Sequence, residues 1–188
     1  MRSFILFLAA SALTASCGNP SGLQPAFFTN IESTVSLYAL TRTPVSLPSG
    51  YSITGRQPIR TEQGSPFDFA FDIDTTGRPV LLPTGPLKLG QQSGIRLSAQ
   101  DYDSIKFAPT TGYNVDSAQV VHENTVLLAM TRATPCQSSI GFAAPFYAKL
   151  HVLAIDTTST PNGRRIDFVI ITDVNCGYRG LELGLPKQ

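Results

Sequence analysis

Residues 147–180 read YAKLHVLAIDTTSTPNGRRIDFVIITDVNCGYRG, two apolar runs around a polar loop, with a cysteine near the far end. In the first run Leu150, Val152 and Ala154 alternate with Lys149, His151 and Leu153. Beyond the loop Asp156 to Gly163, Ile166, Phe168, Ile170, Thr172 and Val174 alternate with Arg165, Asp167, Val169, Ile171 and Asp173. Period-two alternation assigns each set to its own face of a sheet. The second run is apolar on much of both faces, which predicts a central strand rather than an edge. The stretch therefore predicts a long hairpin.

The rest of the chain agrees with this start. Its 188 residues suffice for one domain with a sizeable core. Only 14% of them are charged, against roughly a quarter in ordinary globular chains, while 42% are hydrophobic. Fifteen Gly and 14 Pro, spread along the chain, predict many turns and short elements. Of 14 Lys and Arg, Arg2 lies in a segment expected to be removed, which leaves 13 against 13 Asp and Glu. A neutral chain without basic runs has no footprint for nucleic acid, and the same balance argues against electrostatic docking on acidic membranes.

The first residues, MRSFILFLAASALTAS, combine one basic residue, an apolar run from Phe4 to Ala12 and small residues. That is the layout of a secretory signal over residues 1–16. The apolar run falls short of the about 20 residues that a spanning helix requires. Leu13-Thr14-Ala15-Ser16-Cys17-Gly18 then resembles the lipobox of bacterial lipoproteins, with Thr14 where Leu is usual. The resemblance implies lipid on Cys17 and a tether over 17–29. Gly18 after the cysteine, instead of Asp, resembles the outer-membrane sorting class of organisms with two membranes. The alternative is ordinary cleavage near Ser16, leaving Cys17 a free thiol.

Three cysteines are an odd number, which in an exported chain calls for an explanation. With Cys17 lipidated, Cys136 and Cys176 remain as a disulfide pair in an oxidising compartment. No Cys-x-x-Cys or Cys/His cluster competes for zinc, and no metal site is expected.

Taken in order, Ile31 to Leu40 reads as the first strand, and Arg42 to Gln63 as irregular with one short strand at most. Phe67, Phe69, Phe71 and Ile73 alternate with Asp68, Ala70, Asp72 and Asp74, one face packed and the other wet. Asp74-Thr75-Thr76-Gly77 turns this strand into Pro79 to Leu82. Leu87 to Leu97 holds a further short strand. Ser98 and Asp101 have capping-box spacing for the one short helical turn, Ser98 to Ile105. Ala118 to His122 and Thr125 to Arg132 read as strands joined at Glu123-Asn124. The expectation is an all-β domain over 30–188, a single antiparallel β-sandwich or strongly curved sheet of eight to ten strands, with at most one short helix.

No catalytic constellation emerges. Asp72-x-Asp74-x-Thr76-Gly77 imitates the start of a calcium loop, but Pro83 stands where the bidentate Glu is needed. Asp101 and Asp103 are read as acids beside a helix start, since a glycosidase pair normally comes from distant segments. Ser139 lacks the flanking glycines of a nucleophile elbow. His122 and His151, the only histidines, are read as solvent-facing strand positions. In the loop Gly141 to Tyr147, Phe142, Phe146 and Tyr147 lie close to Cys136. They either fill the core under a tied loop or form an apolar patch for a partner or ligand.

From Thr125 to Thr172 the pattern TVLLAMTR…YAKLHVLAID…RRIDFVIITD is similar to the carboxyl-terminal part of HmuY-like lipoproteins, with Tyr147-Ala148-Lys149-Leu150 as the nearest motif. The alternating FDFAFD of Phe67 to Asp72 resembles an earlier strand of that family. The resemblance implies a β-rich surface lipoprotein and haem held by two histidines, for which His122 and His151 are the candidates. The Asn175-Cys176-Gly177-Tyr178-Arg179 ending and the cysteine pair depart from that pattern. The functional expectation is a non-enzymatic envelope protein, anchored in the outer membrane through Cys17, that presents a surface to an unknown protein or small molecule. Capture of haem or another small ligand is the second reading, and an envelope hydrolase the third.

Overall fold

A computed structural model describes residues 23–64, 66–89, 93–136, 142–160 and 163–187. The readings on residues 1–16, Cys17, Gly18, Ser139 and Gly141 lie outside these residues. The strands are β1 Glu32–Tyr38, β2 Gly50–Ser52, β3 Gln57–Ile59, β4 Phe69–Ile73, β5 Pro79–Pro83 and β6 Gly94–Ser98. They continue as β7 Gln119–Val120, β8 Val126–Met130, β9 Thr134–Pro135, β10 Ala143–Ala144, β11 Tyr147–Asp156 and β12 Arg165–Asp173. Two five-stranded antiparallel sheets, ordered β1-β12-β11-β8-β6 and β3-β2-β4-β5-β7, share one core, and β9 and β10 form a separate ribbon. The architecture is an all-β sandwich, as the alternation predicts.

The opening hairpin is β11 and β12, and β12 sits between β1 and β11 as a central strand. Leu150 pairs with Ile170 and Val152 with Phe168, then the register shifts so that Ala154 pairs with Asp167. Such a bulge adds one residue to a strand and reverses the parity beyond it. Ala154 therefore leaves the face that the alternation predicts it shares with Leu150 and Val152: Ile155 packs against the core and Leu153 is exposed.

Between the sheets, Tyr51 and Phe69 stack at 5.5 Å, and Phe168 meets Tyr51 edge-on at 6.2 Å and Phe69 at 6.1 Å. One ring thus comes from the centre of the first sheet and two from the second. Each fully buried ring of this kind contributes about 1.5–3 kcal/mol, plus about 0.5–1.5 kcal/mol where the ring geometry is favourable. Ile105, Ala108, Leu128, Tyr147 and Leu181 form a smaller core on the outer face of the first sheet. The lid over that face is the stretch around residues 102–113 together with the carboxyl-terminal strap, where Phe107 bridges Gly180 and Leu181 N–H donates to Lys106 O at 2.7 Å.

Several local expectations need correction. The stretch Arg42 to Gln63 contains two strands, β2 and β3, not one. The strands also outnumber the expected eight to ten, because two- and three-residue strands lack a readable period. The turn at Glu123-Asn124 exists, with Thr125 N–H donating to His122 O at 3.1 Å. It does not close a hairpin, because β7 pairs with β5 and β8 with β6 and β11. Helical structure among the described residues is two single 3-10 turns, Thr61–Gln63 and Tyr102–Ser104. Asp101 precedes the second without a side-chain cap bond, and Ser98 Oγ accepts from Gln100 N–H instead of capping Asp101.

Asp68 is not on a wet face. Its carboxylate accepts Ile53 N–H at 2.7 Å, and burial, partly offset by that bond and by Arg132, pushes its pKa up to about 6. Asp74 behaves as a turn residue: its Oδ1 accepts Thr76 N–H and Arg78 N–H, and Arg78 pairs with Oδ2. Asp156 repeats the device, accepting Thr158 N–H at 2.8 Å. Side-chain mimicry of a backbone turn explains why Asp-Thr-Thr ends both strands.

Candidate functional site

At the end where β12 finishes, Val174 to Gly177 turn back, and Cys176 is joined to Cys136 with 5.8 Å between their Cα atoms. Cys136 closes the β9–β10 ribbon through its N–H, which donates to Phe142 O at 2.9 Å. The disulfide therefore fastens this ribbon to the central strand of the first sheet. Gly177 adopts φ +83, and a Cβ there would stand 2.6 Å from Leu23 and 3.3 Å from Phe142. Glycine supplies both the left-handed turn and the space.

Asn175 organises what lies beside the disulfide. Its Oδ1 accepts Phe27 N–H at 2.8 Å and Phe28 N–H at 2.9 Å. Its Nδ2 donates to Phe28 O at 2.7 Å and to Asp173 Oδ1 at 2.9 Å. Tyr178 hydroxyl donates to Gln24 O at 2.9 Å. The segment read as a tether is thus held against the domain from Gln24 onward. Asn accepts twice and donates twice here, a count that a carboxamide side chain can meet and a hydroxyl cannot.

Between this segment and the ribbon lies a cleft of about 650 Å³, walled by Phe27, Phe28, Phe146, Tyr178, Pro135 and the disulfide. Among the described residues, no charged one lines it. Past Phe28, Phe146 and Val174 it adjoins a second hollow of about 400 Å³ that reaches Thr54 and Arg56. Arg56 holds φ 52, uncommon for a residue with a Cβ. Its Nε and Nη2 are buried without a hydrogen-bond partner, as is Asp173 Oδ2. Burial raises the Asp173 carboxyl to about 6, against the opposing pull of the Asn175 hydrogen bonds and the Arg56 guanidinium. The cleft offers apolar and aromatic contact with a few backbone-fixing polar groups.

The sequence-derived candidates separate. Phe146 lines the cleft and Phe142 stands at its Gly177 rim. Tyr147 faces the other way, into the outer core beside Tyr113 at 6.1 Å. His151 is half-buried, its ring 5.9 Å from Tyr102, and His122 is exposed on the turn before β8. Neither imidazole lines the cleft, so a haem seated there would find no axial nitrogen; the pair does not fit that group at this site. Phe27, Phe28, Asn175 and Tyr178 escaped the sequence reading. Two adjacent phenylalanines in a polar stretch were the available signal.

A second polar cluster lies under the lid. Lys149 is buried; its Nζ donates to Tyr102 O and Ile105 O, both at 3.0 Å, and stands 4.5 Å from the Tyr102 ring centroid. Tyr102 hydroxyl donates to Glu32 at 3.0 Å. Desolvation lowers the Lys149 pKa, opposed by Asp103, Glu32 and Glu182. With its amine engaged by two carbonyls, Lys149 acts as a clasp for the 102–105 turn.

No protein-family model matches the chain, and no match was found among curated proteins.

Proposed function

We propose that the chain is a non-enzymatic, lipid-anchored protein of the bacterial cell envelope whose β-sandwich offers its aromatic cleft to a partner or small ligand. The carrying observation is the uncharged cleft beside the disulfide, with Phe27 83% and Phe28 50% exposed at its mouth. Monomeric surfaces rarely leave such aromatic groups clustered unless they meet something. The lipobox-like residues before Cys17 supply the anchor. Incorporation of labelled palmitate and partition into the detergent phase, both lost in Cys17→Ala, are the expected results. A wild-type chain that stays in the aqueous phase overturns the anchor. The binding half is tested with an apolar fluorescent dye as probe: its emission rises on the wild type and falls in Phe146→Ala, and equal emission from both removes the cleft as the binding place.

A further inference from the structure

The amino-terminal segment leaves the domain at one fixed place. Leu23 packs where a side chain on Gly177 would stand, Tyr178 holds Gln24, and Asn175 holds Phe27 and Phe28. Leu23 lies six steps along the chain from Cys17, a stretch that spans at most about 20 Å. The ten residues of β11 span about 33 Å. Tyr147, at the start of that strand, pairs with Asp173 beside the disulfide, whereas Leu153 lies toward its far end. An anchor at Cys17 is therefore too short to let the far end turn down to the bilayer.

The end that must face the membrane is also the one with uncovered aromatic rings. Phe27 is 83% exposed, Phe28 50% and Phe142 41%, the first two edge-to-face at 5.1 Å. Among the described residues, no charged side chain lines the cleft between them. This surface matches the boundary between headgroups and acyl chains, where rings enter without desolvating a charge.

We infer that the disulfide-tied end of the sandwich docks on the bilayer, with Phe27, Phe28 and Phe142 inserted into its interfacial layer, so that the cleft opens onto lipid. This rests on the anchored reading and specifies the partner of the same site. The chain contains no tryptophan, so Phe27→Trp, Phe28→Trp and Leu153→Trp each create a single reporter at an exposed position. The lipidated full chain of each variant is reconstituted in phosphatidylcholine vesicles carrying bromine on the upper acyl chain, floated, and its emission read. The expected result is a blue shift and loss of most emission at positions 27 and 28, with position 153 unchanged. Flotation with all three reporters unquenched overturns the docking while leaving the anchor intact. Equal quenching at position 153 overturns the orientation. A chain that fails to float overturns both the anchor and the docking.

Discussion

Replacing Asp68 by Asn removes a charge that the fold buries while keeping the oxygen that accepts Ile53 N–H at 2.7 Å. Burial raises this carboxyl from the ordinary 3.8 to about 6, less the counter-pull of the Ile53 bond and Arg132. Each pH unit of such a difference is worth about 1.4 kcal/mol, so keeping Asp68 ionised costs the folded state about 3 kcal/mol at neutral pH. The sign follows from proton counts. Between 3.8 and 6 the folded state binds more protons than the unfolded one, so stability rises as pH falls through that window. Asp173, also raised to about 6, acts in the same direction. Asp74 and Asp156 lie in surface turns, and their turn hydrogen bonds hold both carboxyls below the ordinary value. Their contribution is present above that value and lost only in stronger acid. Asp68→Asn should therefore gain about 1–2 kcal/mol at pH 7.5, the loss of charge-assisted bonding offsetting part of the relief. It should gain little at pH 4.5, where Asp68 is already protonated. Urea unfolding followed by near-ultraviolet circular dichroism at the two pH values measures this. A variant less stable than wild type at pH 7.5, or a wild type no more stable at pH 5 than at pH 7, would refute the reasoning.

Three further outcomes follow from the structure. Replacing Cys136 and Cys176 by Ser opens a loop of sequence separation 40; chain entropy puts the loss at about 4 kcal/mol, read by the same unfolding assay. Free thiols at both positions in a non-reducing peptide map of the wild type would remove the bridge. Asn175→Ala leaves Phe27 N–H, Phe28 N–H and Phe28 O without their partner; at about 1–3 kcal/mol for each buried group left unmade, and less where water enters, a loss of at least about 1 kcal/mol is expected. Faster amide exchange confined to residues 27 and 28 distinguishes it from global loosening, and wild-type exchange rates there would count against the clamp. Haemin added to the wild type should give no Soret shift that depends on histidine. A shift abolished in the His122→Ala/His151→Ala double variant would reinstate haem capture.

The sandwich was legible where strands are long and alternate. Leu150 and Val152 in β11, with Ile166, Phe168 and Ile170 in β12, announce a buried face by period alone. The stretch holding β2 and β3 was not legible, because Pro48, Gly50, Gly55 and Pro58 interrupt any period and each strand has only three residues. The pairing of β7 with β5 depends on a partner some 40 residues earlier, which local pattern does not encode. Asp68 looked wet because alternation reports which side of its own strand a residue occupies, not what later covers that side. The parity of β11 also shows why Tyr147 parts from Phe146: with Ala148 and Leu150 inward, odd positions before the bulge point out. The cleft depended on Phe27 and Phe28, whose composition reads as linker until Asn175, 147 residues later, fixes them.

The clamp on residues 24–28 has a mechanical consequence. β1 is the edge of its sheet, and its first residue, Glu32, pairs with Ile171 close to the disulfide end. A pull on the amino-terminal segment from that end would load the β1–β12 ladder one rung at a time, the geometry in which strands unzip most readily. Before the load reaches Glu32 it must break the bonds from Phe27, Phe28 and Gln24 to Asn175 and Tyr178. Both holding residues flank Cys176, whose covalent link spreads the tension into a second stretch of chain. The clamp is a strain relief, like the collar where a cable enters its housing.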